Sequence, residues 1–132
     1  MTTTINNNGQ VIELTLKFSG SKRSKWGADM HQHHKLYVKV GENTVIFDYW
    51  ESKAKPKADS IEDVLTAFNC VLGDASASFD GLGNFLSEFG YEPREGERVY
   101  SECSKSATKL AKIGIEEQDV YDILNLELMQ DF

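Results

Sequence analysis

Three histidines stand within four residues, His31, His33 and His34, and of all the groups in this 132-residue chain they come nearest to a chemical site. In an extended segment His31 and His33 point to the same side, so two imidazoles could share a metal ion. Imidazoles as a class also titrate near neutral pH. A structural zinc site needs four ligands, however, and no cysteine pair or acidic cluster lies nearby in sequence to complete one. The segment therefore reads as a solvated or partner-contacting loop ahead of a strand, and neither a metal nor a cofactor is expected.

Carboxylates offer a second chemistry. Paired acids serve hydrolases and magnesium-dependent nucleases when they converge on a pocket, usually beside a Lys or His. Here the acids spread along helical patterns, and Asp48, Asp74 and Asp80 fall at the ends of elements, where capping and turn formation account for them. Neither Ser76-Ala77-Ser78 nor the serines between 101 and 106 form a nucleophile elbow, and Gly81-Leu82-Gly83 precedes no Lys-Ser or Lys-Thr of a phosphate loop. Cys70 and Cys103 have apolar neighbours at helical spacing and read as small core hydrophobes. The expectation is a binding protein, not an enzyme.

Charge is divided by position, which favours recognition by electrostatics. Residues 1–59 carry nine Lys or Arg against six Asp or Glu, and residues 60–132 carry five against fifteen, within a total of −7. Two candidate surfaces follow. In the acidic half, Glu116, Glu117, Asp119 and Asp122, helped by Glu88, Glu92 and Glu95, could imitate a row of phosphates and occupy a basic groove on a partner. In the basic half, Lys22, Arg23 and Lys25 beside Trp26 could touch phosphates and stack a base. A pI near 4.9 argues against a dedicated DNA binder, whose domain should be basic.

These residues need elements to hold them. Residues 1–10 are polar and read as a flexible N-terminal arm. Residues 11–18 alternate apolar and polar, the period of a half-buried strand, and 19–27 read as a basic loop. Residues 35–40 and 44–50 form a hairpin around Gly41-Glu42-Asn43. After a Lys/Pro/Ala linker at 51–59 the period changes to that of helices. The first is capped by Asp59 or Ser60 and stops at Gly73; the others cover about 79–89, 97–113 and 116–129. The fold class is α+β: a small antiparallel sheet in residues 11–50 covered by about four helices in 60–132, one domain over 11–132. No apolar run is long enough to cross a bilayer, so a soluble cytoplasmic protein is expected.

The order of residues carries a resemblance as well. His34 through the Gly turn to Phe47-Asp48-Tyr49-Trp50, then Ser60-Ile61-Glu62-Asp63-Val64-Leu65 and Leu72-Gly73-Asp74-Ala75, resembles a family of small phage and prophage proteins. The similarity is most specific at Phe85-Leu86-Ser87-Glu88-Phe89-Gly90-Tyr91, followed by Arg98-Val99-Tyr100, and it spans roughly residues 31–115. The stretch Glu92-Pro93-Arg94-Glu95-Gly96 departs from the family's acidic-Ser-Arg pattern. The resemblance implies a phage origin more than a mechanism; because small acidic phage proteins without enzyme motifs often look like inhibitors of host defence, the expectation is a non-enzymatic, anti-CRISPR-like inhibitor acting in the bacterial cytoplasm. Its partner would be a host protein or ribonucleoprotein effector complex, met through the acidic helices. The alternative is a phage nucleic-acid-associated accessory protein that uses Lys22 to Trp26 and the histidine segment. Exposed apolar residues such as Trp50 would also allow a homodimer contact.

Overall fold

The computed structural model describes residues 1–23, 30–51, 60–79 and 93–126. Its first part is a four-stranded antiparallel meander, β1 (Thr2–Asn7), β2 (Gln10–Arg23), β3 (Met30–Val40) and β4 (Asn43–Glu51), in the order β1-β2-β3-β4. Residues 1–10, expected as a flexible arm, are thus the first strand of the sheet and its turn. Asn7 pairs with Gln10 across Asn8 and Gly9, whose φ values of 53° and 87° are the left-handed pair of a two-residue hairpin turn. The Asn6 side chain accepts a 3.0 Å hydrogen bond from the Gly9 amide, and Ile5 is buried opposite Ile12. One apolar residue and an Asn-Gly turn are enough to dock a polar segment on a neighbouring strand.

β2 also runs past the expected strand end at residue 18. The register shifts between Phe18 and Gly20, as a bulge requires, and Gly20 has a φ of 141° that few side chains tolerate. Pairing then resumes through Lys22 with His31 and Arg23 with Met30, so residues 19–23 are strand, not loop. The histidine segment lies inside β3, not ahead of it. Val40 pairs with Asn43, making the last turn two residues, Gly41 and Glu42, with Gly41 at φ 61°.

Alternation along these strands divides the sheet into two faces. Ile5, Ile12, Leu14, Leu16, Leu36, Val38 and Phe47 are buried on one, each worth about 1.5–3 kcal/mol when fully removed from water. His34 and Gln32 share that face. His34 is fully buried, with the Phe18 ring edge-on at 5.5 Å and Tyr49 at 6.3 Å, while the Gln32 carbonyl oxygen accepts a hydrogen bond from Ser21.

Three helices follow among the described residues: α1 (Ile61–Phe79), α2 (Pro93–Lys112) and α3 (Glu117–Leu124). Ser60 caps α1 by accepting from the Asp63 amide at 3.2 Å and donating to the Asp63 carboxylate at 3.0 Å. Gly73 does not stop this helix. The buried stripe Val64, Leu65, Phe68, Val71 and Leu72 continues to Ala75, and that packing outweighs about 1 kcal/mol of glycine's helix penalty. The expected helix over 79–89 falls largely at residues 80–92, outside the described ones. α2 begins at Pro93, a residue suited to the first helical position, four residues before the start at 97 that the sequence pattern suggests. It ends in a Schellman arrangement: the Ile115 amide donates to Leu110 at 2.9 Å, Gly114 donates to Ala111 at 3.1 Å, and Gly114 takes φ 87°.

Contacts gather into two compact units, Met1–Phe68 and Asn69–Asp131. Val64, Leu65, Ala67 and Phe68 belong to the first unit's core; Leu72, Ala75, Leu110, Ile115, Val120 and Ile123 belong to the second's. Cys103 is buried there, as anticipated, but Cys70 is exposed, because it stands roughly 200° around the helix from Phe68. Among the described residues no helix is long and apolar enough to cross a membrane.

Candidate functional site

The second face of the sheet is open, and its side chains form rungs across the strands. Gly20, His33 and Trp50 make one rung; Lys17, Lys35 and Asp48 the next; then Thr15, Tyr37 and Ile46; then Glu13, Lys39 and Thr44. Aromatic and apolar rungs thus alternate with charged ones, about 6.6 Å apart along β3. Lys17, Lys35, Lys39, Asp48, Ile46 and Trp50 are all exposed.

The geometry within the rungs is specific. His33 stacks on Trp50 with ring centroids 4.3 Å apart and planes 18° from parallel, and its Nε2 meets the Asp48 carboxylate at 2.8 Å. Asp48, expected to serve an element end, lies in mid-strand on β4 and orients this imidazole. Its register partner Lys35 also stands directly opposite Lys17, a like-charge pairing that costs stability in a sheet. Lys17 turns its ammonium over the Tyr37 ring, 5.0 Å from the centroid. Beside it a depression of about 170 Å³ is lined by Glu13, Thr15, Lys17, Tyr37, Lys39 and Thr44. The Thr15 hydroxyl is 3.0 Å from that of Thr2 on β1.

The residues anticipated from sequence are placed as follows. His31 and His33 share the open face, as period-two alternation requires, whereas His34 is core and not part of a solvated loop. Lys22 and Arg23 occupy ladder positions opposite His31 and Met30; Lys25 and Trp26 lie outside the described residues. Among the described residues no three His, Cys, Asp or Glu side chains gather to hold a metal ion. Of the acids, Glu88 and Glu92 lie outside the described residues, and Glu95 is in the first turn of α2.

Glu116, Glu117 and Asp119 are at the start of α3, where the helix dipole favours them, and Asp122 is in its last turn. Asp119 accepts from the Glu116 amide at 3.0 Å, and Asp122 accepts from the Gln118 side chain at 2.9 Å. Glu116 completes the capping box with Asp119, so three of the four carboxylates are engaged within the helix, two of them at its N-terminal end. Partial burial and the nearby Asp74 push the Cys70 thiol up, away from the reactive thiolate. Lys17, Lys35, Tyr37 and Lys39 are not singled out by the sequence pattern, although Lys35 directly follows His34 and Lys17 and Lys39 each stand five residues from a highlighted position.

No protein-family model, no curated protein and no solved structure matches this chain. The functional reading therefore rests on the geometry of the sheet.

Proposed function

We propose that this chain is a nucleic-acid-associated binding protein that receives a single strand on the open face of its sheet. The observation that carries the reading is the alternation of aromatic and cationic rungs. A single strand presents the same alternation, bases that stack and phosphates that need cations, and small domains grip it with those two elements. Lys17, Lys35 and Lys39 supply positive charge, while one of the two acids on the face, Asp48, is committed to His33. Trp50, half exposed and braced by His33, offers a ring face at the edge of the patch. Binding is favoured over catalysis because the register neighbours of His33 are Gly20 and Trp50, with Lys35 and His31 along the strand, and none is a hydroxyl or thiol nucleophile.

The phage-inhibitor reading draws on the acidic residues. In α3 it has the exposed Glu117 beside three carboxylates already engaged within the helix, a short imitation of a phosphate row. The sheet face is the better supported surface. Fluorescence anisotropy with a short labelled single strand tests it: the intact chain should bind, and replacing Lys17, Lys35 and Lys39 together with Gln should weaken binding at least about tenfold. Unchanged affinity in that variant, with the fold retained by circular dichroism, would remove the sheet face from consideration.

A further inference from the structure

One carboxylate on the open face has no role in the reading above. Glu13 lines the depression together with Lys17, Lys39 and Tyr37. It stands opposite Lys39 in register, yet the two form no ion pair among the described residues. Beside a phosphate such a group is repulsive, and a carboxylate is acceptor-only, so it suits a ligand that brings hydroxyl donors to the same place as its phosphates. Ribose does this through its 2′-hydroxyl and deoxyribose does not.

We infer that Glu13 accepts a hydrogen bond from a ribose 2′-hydroxyl and makes the face selective for RNA over single-stranded DNA; the inference rests on the single-strand reading. Lys39 and Lys17 take the phosphates flanking that sugar. Lys17 leaves the Tyr37 ring as it does so, and the uncovered ring stacks the base. The Thr44 hydroxyl, on the same wall, is a further donor or acceptor for the sugar edge. Glu13 thus trades some affinity for every polyanion against discrimination between two of them, in the way that unpaired charge builds specificity.

The test compares uridine homopolymers of equal length in ribose and deoxyribose forms, titrated against the full chain and against Glu13→Ala and Glu13→Gln. The intact chain should prefer the ribose form about tenfold, the worth of one charge-assisted hydrogen bond. Glu13→Ala should bring the ratio to about one, chiefly by tightening the deoxyribose form, and Glu13→Gln, which keeps an acceptor, should fall between. Equal binding of both forms by the intact chain, or a preference that survives Glu13→Ala, would overturn the role of Glu13 and leave the sheet face standing. Failure of both forms to bind would overturn the single-strand reading itself. Glu13 is exposed, so neither variant is expected to disturb the fold.

Discussion

Trp50 shows how a side chain can be half exposed and still held in place. Its ring lies against His33, and His33 is tied to Asp48, so the tryptophan presents one face to solvent in a set orientation. Replacing Trp50 by Ala should weaken single-strand binding by about 1–3 kcal/mol and leave the urea midpoint nearly unchanged. Comparable losses of binding and stability would mean that the ring serves the fold. The cysteines give a second residue-scale expectation. Cys70 should be alkylated in the native chain, more slowly than a free thiol because burial and Asp74 disfavour its thiolate, and Cys103 only after unfolding; mass spectrometry of labelled peptides checks both. Much at this scale was legible. Parity alone put His31 and His33 on one face, but it could not show that His34 was core until the strand was seen to begin at Met30. The His33–Asp48 contact depends on β3–β4 register, which side-chain types do not announce.

Among the elements, glycine decides two helix questions in opposite ways. Gly73 lies inside α1 with no atom within 4 Å of where a Cβ would stand, so Gly73→Ala should stabilise by about 0.5–1 kcal/mol and raise the melting temperature by a few degrees. Gly114 closes α2 with φ 87°, a conformation an L-residue adopts at a cost. Gly114→Ala should therefore destabilise by about 1 kcal/mol or more, and calorimetry of the pair should give shifts of opposite sign. In sequence both glycines looked like stops. The distinction lay in what followed: after Gly73 the apolar period continues to Ala75, whereas after Gly114 it restarts out of phase in α3. The first strand was missed because its composition is polar, although Asn8-Gly9 ahead of an alternating segment is a strong hairpin signal. The α+β class and the hairpin at Gly41 were readable because period two and period 3.6 occupy separate stretches of the chain.

For the molecule as a whole, net charge and local charge point in different directions. A chain of −7 repels polyanions at long range, but at physiological salt that repulsion is screened beyond about 8 Å, and Lys17, Lys35 and Lys39 act locally. Three phosphate contacts to a single strand would give a slope of about −2 in log affinity against log salt, and Lys35→Gln should reduce it to about −1.4. A flat salt dependence would exclude phosphate recognition. Total charge was plain in the sequence; its apportioning between two faces of a sheet was not, because that requires register. The hairpin that docks β1 has a further effect, on self-association. β1 is an edge strand, and its six residues, Thr-Thr-Thr-Ile-Asn-Asn, include no charge and no proline. Natural sheets commonly guard their edges with those residues, so this margin is a template on which a second copy's strand can add at high concentration, and a lysine in place of Thr4 would shield it.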